Sequence, residues 1–173
     1  PVVLELDGEL DRAALFESCR RIVARHEALR TTFVLCDGQP AQRVRAPQDA
    51  PVEWREFDVA ATVAAAIDEL IAAEIALPFD LENRPPLRAA LLRCSAWRHI
   101  AVFTLHHIAA DGWSLDLFLG ELQAHYNAAR AGREAALPAL PLQYADYAAW
   151  QVGLLGEGRQ LLYSGIATRA FER

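Results

Sequence analysis

The chain has 173 residues, 53% apolar and 23% charged, which is the length and composition of one globular domain with a substantial core and excludes a disordered chain. Lys and Arg total 17 against 23 Asp and Glu, a net charge of −6 with no basic cluster, so nucleic acid is not an expected partner. Apolar runs such as Ile100 to Leu105 are too short to cross a bilayer, and no secretion signal opens the sequence. Cys19, Cys36 and Cys94 are widely spaced and odd in number, which indicates neither a disulfide framework nor a zinc site. These features predict a soluble, cytoplasmic chain with no membrane association.

In chain order, Val2 to Leu6 reads as a strand, and a chain that opens inside a strand suggests a piece of something longer. After the Asp7-Gly8 turn, a helix is expected from Asp11 to Ala28, with Asp11 as N-cap and Leu15, Cys19, Ile22 and His26 at helical spacing. Thr31 to Leu35 and Gln42 to Arg45 look like strands joined across Asp37-Gly38, and Val52 to Phe57 like another. Thr62 to Leu77 carries a helical stripe of Val63, Ile67, Leu70, Ile71, Glu74 and Ile75, stopped by Pro78. Pro85-Pro86 turn the chain into a strand from Leu87 to Leu92. Ile100 to Leu105 is apolar on both faces, as a central strand covered on both sides would be. A helix from Leu115 to Arg130, ending near Gly132, and a last helix from Tyr144 to Leu155 flank a linker bracketed by Pro138 and Pro141. The class is α/β or two-layer α+β, a mixed sheet flanked by helices.

The sharpest feature is His106-His107-Ile108-Ala109-Ala110-Asp111-Gly112-Trp113-Ser114, at the end of the most apolar strand. Adjacent side chains on a strand point to opposite faces, so one imidazole can face a cavity while the other packs behind it. A neutral imidazole can take a proton from an amine, hydroxyl or thiol. Asp111 can fix the local backbone or pair with an arginine. Gly112 permits a tight turn and an exposed backbone N–H, an oxyanion donor; Ser114 is the expected helix N-cap, with Asp116 in the first turn. The alternatives are a satisfied core histidine and metal ligation, the latter opposed by diverging strand positions and the lack of a third ligand at zinc spacing.

This stretch resembles the HHxxxDGWS signature of condensation domains from nonribosomal peptide synthetases. Three more stretches resemble that family in its order: Arg25-His26-Glu27-Ala28-Leu29-Arg30-Thr31-Thr32-Phe33, then Leu77-Pro78-Phe79-Asp80-Leu81 with Pro86-Leu87-Arg88, then Tyr144-Ala145-Asp146-Tyr147-Ala148-Ala149-Trp150. HHxxxD by itself is shared with chloramphenicol acetyltransferase-like enzymes; all four together are specific. The resemblance implies a chloramphenicol acetyltransferase-like lobe, one of two that enclose a tunnel, with upstream and downstream peptidyl carrier domains bringing phosphopantetheine-tethered substrates and an adenylation domain adjacent. It implies that His107 positions or deprotonates the amine that attacks a thioester. His106 and Asp111 would then support the site, and the Gly112 N–H would lie near the developing oxyanion. No bound cofactor and no metal are implied. Arg25 and Arg30 are expected to be structural, either pairing with Asp111 or a glutamate or complementing a helix C-terminus. Trp113 is a candidate for lining the tunnel, with packing as its alternative, and resembles domains that accept L-configured donors. Tyr144, Tyr147 and Trp150 share a helix face and are expected to pack.

Residues 1–155 thus resemble an N-terminal lobe, and 156–173 form a tail that diverges from the family pattern. The family's first motif and the C-terminal lobe have no counterpart here, so a chain of this extent is expected to be inactive alone. Its uncovered lobe interface is expected to promote self-association. The other functions considered are a related acyltransferase using a free coenzyme A thioester, and a catalytically silent remnant that docks carrier domains.

Overall fold

The structure, a computed structural model, describes residues 1–155; the tail expected over 156–173 lies outside the described residues. In chain order the elements are β1 (Val2–Asp7), α1 (Arg12–Arg25), β2 (Thr31–Cys36), β3 (Gln39–Val44), β4 (Glu53–Asp58), α2 (Ala64–Ala76), β5 (Leu87–Arg93), β6 (Arg98–Leu105), α3 (Gly112–Arg130) and α4 (Tyr144–Leu155). Short 3-10 turns occupy Glu27–Arg30 and Pro47–Asp49.

The near-continuous apolar runs of β5 and β6 place these strands at the centre of a sheet ordered β1-β6-β5-β4. Both are buried along almost their whole length, because both faces of the sheet are covered. Side-chain alternation divides them between two cores. Leu87, Ala89, Leu91, Ala101 and Phe103 join Leu15, Cys19, Ile22, Phe118 and Leu122 of α1 and α3. Ala90, Leu92, Ile100 and Val102 meet Ile67, Leu70, Ile71 and Ile75 of α2 on the opposite face. β4 runs parallel to β5, with α2 as the crossover, while β1 and β5 both lie antiparallel to β6. The mixed sheet flanked by helices is as expected; α2 adds a third layer to the two-layer arrangement.

β2 and β3 form a separate hairpin. Its Asp37-Gly38 turn has φ of 51° and 76°, the doubly positive backbone that a two-residue hairpin turn requires. Pairing extends to Gln39, three residues before the expected start at Gln42.

Capping explains several differences in helix limits. Asp11 caps α1 as expected, its carboxylate accepting the Ala14 N–H at 2.9 Å. That helix stops at Arg25 instead of Ala28, because His26 turns to extended backbone and the next four residues tighten into a 3-10 turn. Val63 is not part of the α2 stripe: it sits at the N-cap position and is 72% exposed. Glu74, on that stripe, is buried and meets Arg55 at 3.2 Å.

Candidate functional site

β6 ends at Leu105, and the histidine pair follows in a turn instead of continuing the strand. The two imidazoles have separate surroundings, although the strand alternation expected to separate them does not extend to the pair. The His106 N–H donates to the Pro86 carbonyl at 3.0 Å, and its ring meets Phe79 edge-on with centroids 5.4 Å apart. Its Nδ1 accepts the Ile108 N–H at 3.0 Å, so the neutral ring carries its proton on Nε2. His107 is exposed and lines a cavity of about 280 Å³ with His26, Asp111, Ser114 and Tyr144 as its other polar-capable residues. Ile22, Leu29, Leu105, Leu117 and Phe118 contribute apolar wall. An imidazole at the rim of an apolar hollow, with its partner ring turned away, has the access that proton transfer to or from a bound substrate requires.

Asp111, not Ser114, is the N-cap of the helix that follows, which therefore begins at Gly112 instead of Leu115. Asp111 Oδ1 accepts from the Ser114 N–H at 2.9 Å and from its hydroxyl at 2.7 Å, and the Asp111 N–H donates back to Ser114 Oγ at 3.2 Å. This capping box satisfies donors that helix geometry leaves open. The Ser114 hydroxyl, followed by its backbone N–H, holds the Asp111 carboxyl below the usual carboxylate range. Gly112 does not need the conformational freedom of glycine here. Its backbone is in the first turn of α3 without a positive φ, a Cβ there would meet nothing within 4 Å, and the residue is not among those lining the cavity.

Neither arginine pairs with Asp111. Arg25 Nε lies 3.0 Å from Glu121 Oε1, and its guanidinium also donates to the Pro138 carbonyl. Arg30 donates to the Arg45 carbonyl and, at 3.3 Å, to Glu27. Both thus have glutamate partners and brace backbone, and neither is among the residues that line the hollow. Sequence reasoning missed Glu121, a buried carboxylate on α3 that also meets His26 Nε2 at 2.8 Å. The signal was available: Glu121 lies on the apolar face of α3, and a carboxylate there needs cationic partners from the facing helix.

The segment that opens α4 is tied to the same place by Gln143. Its amide accepts the Glu27 N–H at 3.0 Å and donates to the Arg25 carbonyl at 3.1 Å, while its own N–H donates to Asp146 at 3.0 Å. The stretch from Arg25 to Glu27 thereby fixes the start of α4 and sets Tyr144 in the cavity wall. Tyr144, Tyr147 and Trp150 do not pack inward as expected. They are exposed and meet one another in tilted pairs, with centroids 6.0 and 5.8 Å apart. Trp113 is 84% exposed and is absent from the cavity lining. Among the described residues, no three His, Cys, Asp or Glu side chains are grouped to hold a metal ion, and no helix is long and apolar enough to cross a membrane.

A family model for the condensation domain matches residues 1–161. Chondramide synthase cmdD of Chondromyces crocatus is 46% identical over 154 residues, covering 87% of this chain and 4% of that protein. Malpibaldin synthetase of Mortierella alpina is 40% identical over 161 residues, covering 92% of this chain and 3% of that protein. The X-domain from teicoplanin biosynthesis superposes with a TM-score of 0.82 at 38% identity, over 92% of this chain and 34% of that one. The chain therefore spans only a few per cent of these synthetases. By that match, over nearly the whole of its described length, the chain belongs to the condensation-domain family of nonribosomal peptide synthetases.

Proposed function

We propose that residues 1–155 form the N-terminal lobe of a condensation domain, and that His107 assists amide-bond formation between two carrier-tethered thioesters. The observation that carries this reading is the exposed His107 ring at the rim of the apolar hollow, while His106 is held away from it. In the reaction the acceptor amine nitrogen attacks the donor thioester carbonyl, the C–S bond breaks and the donor carrier's thiol departs. The proton lost from nitrogen passes to His107 and from there to the departing sulfur. The neutral imidazole accepts the proton and the imidazolium so formed donates it. His106 and Asp111 act on the backbone around His107, not on substrate.

Upstream and downstream carrier domains, with a neighbouring adenylation domain, are the partners this chemistry calls for, in the cytoplasm. Phosphopantetheine arrives covalently attached to those partners and is part of the substrate. The exposed row Tyr144, Tyr147 and Trp150 supports a covering second lobe.

The test uses two loaded carrier proteins and mass detection of the joined product. This chain alone should give little or no amide, because half the tunnel that aligns the thioesters is supplied by the second lobe. Joined to the C-terminal lobe of a relative, it should form amide, and His107→Ala should slow it by about 10²–10⁴. Product made equally well from a free coenzyme A thioester would favour a simple acyltransferase instead.

A further inference from the structure

Two side chains from separate segments, Arg88 and Phe79, line up behind His106. The Arg88 guanidinium carbon lies 4.2 Å from the centroid of the Phe79 ring, and the Phe79 ring meets His106 at 5.4 Å and 83°. Arg88 is itself pinned. It is buried, and its two terminal nitrogens donate to the Ile75 carbonyl at 3.1 Å, the Pro78 carbonyl at 3.3 Å and the Leu77 carbonyl. These acceptors are the open C-terminal end of α2 and the two residues after it, so the cation sits where a helix end attracts one. A cation over one face of Phe79 and an edge contact with His106 leave the phenyl ring one orientation.

His106 passes that orientation on. Its backbone N–H is bonded to Pro86 and its Nδ1 to the Ile108 N–H, so the ring ties the backbone before His107 to the backbone after it. If the imidazole rotates, Nδ1 loses Ile108, and the turn that presents His107 loses its cross-link. We propose that Phe79, with Arg88 behind it, is a positioning residue for His107, acting through the orientation of His106. The inference rests on His107 being the working imidazole, but the coupling it asserts exists whether or not that is so.

The experiment is nitrogen-detected magnetic resonance of the histidine rings and amide exchange in this chain. Phe79→Leu keeps apolar bulk and removes the ring face. The expected result is displaced His106 and His107 ring signals and an Ile108 amide exchanging about two- to tenfold faster, the range for one lost hydrogen bond. Exchange at Leu91, in the buried centre of the sheet, should stay as it was, and Phe79→Tyr should restore the native signals. Unchanged His106 and His107 signals in Phe79→Leu would overturn the proposal. So would loosening shared equally by Leu91 and not rescued by tyrosine, which is what loss of packing alone produces. Should Phe79→Leu not fold, Arg88→Lys retains charge but loses the fork; it must displace the His106 signals, and their constancy would count against the proposal in the same way. None of these readouts depends on turnover, so a failure of the catalytic role of His107 would be seen separately, as activity retained in His107→Ala.

Discussion

Glu121 Oε2 stands 2.8 Å from His26 Nε2 across the seam between α1 and α3. The same carboxylate takes Arg25 at 3.0 Å through its other oxygen. A buried carboxylate is tolerated only when its oxygens are engaged in this way, and here the engagement holds one wall of the hollow beside His107. Glu121→Ala leaves Arg25 and His26 without their shared acceptor. We expect a loss of about 2–4 kcal/mol in stability, and a smaller loss for Glu121→Gln, which keeps a hydrogen-bonding oxygen. Denaturant midpoints of the two variants check this; equal and negligible losses would mean that the pairing contributes nothing.

Asp111 separates two roles cleanly. As an N-cap whose bonds go to Ser114, it should be replaced by asparagine with little cost, while alanine should cost about 1 kcal/mol and loosen the start of α3. If Asp111 worked instead as a charge partner of an arginine, Asp111→Asn would be as harmful as Asp111→Ala. Thermal denaturation of both variants at neutral pH decides between them.

Acid should weaken the fold through two histidines that are not among the cavity's lining residues. Burial holds the imidazoles of His99 and His125 below their ordinary value of 6.5, with Arg12 adding to the effect at His99 and Arg21 and Arg25 at His125. His99 Nδ1 and both His125 ring nitrogens have no hydrogen-bond partner among the described residues. As the pH falls past 6.5 the unfolded chain takes up these protons before the folded one does. Their contribution is therefore complete above that pH and declines below it, until the folded-state values are passed. Denaturant titrations at about pH 7.5 and about pH 5 should show the decline, and His99→Gln with His125→Gln should flatten it. An unchanged slope in the double variant would assign the acid sensitivity elsewhere.

Much of this was legible because the relevant signals are local. The uninterrupted apolar run of Ile100 to Leu105 announced a strand covered on both faces, and β6 is that strand. Asp37-Gly38 announced the hairpin, and Asp11 the start of α1. What could not be read were choices among competing local chemistries and contacts made over long separations. Both Asp111 and Ser114 are good N-caps, and the reciprocal box between them uses both, which moved the helix start to Gly112. The Arg25 and Arg30 partners depended on which glutamate the facing segment would bring near, and Glu121 lies 96 residues from Arg25. Tyr144, Tyr147 and Trp150 have the spacing of a packed face, and that face is apolar, but within the described chain nothing buries it.

That open face carries a further expectation. Tyr144, Tyr147, Trp150 and Trp113 are exposed on one chain, and aromatic surface of this extent favours association. Sedimentation at rising concentration should show self-association, reduced in a Trp113→Ser, Trp150→Ser variant whose melting temperature is hardly changed, since both side chains are largely in solvent. A monomer at every concentration would show that the face is not adhesive.

The most direct test of the account is the rate of amide formation from two loaded carrier proteins by this chain joined to a C-terminal lobe, compared with its His107→Ala variant. A folded variant slowed by about 10²–10⁴, the usual worth of a positioned proton acceptor, is the predicted result. A folded variant that joins the two substrates at the full rate would contradict the assignment of His107.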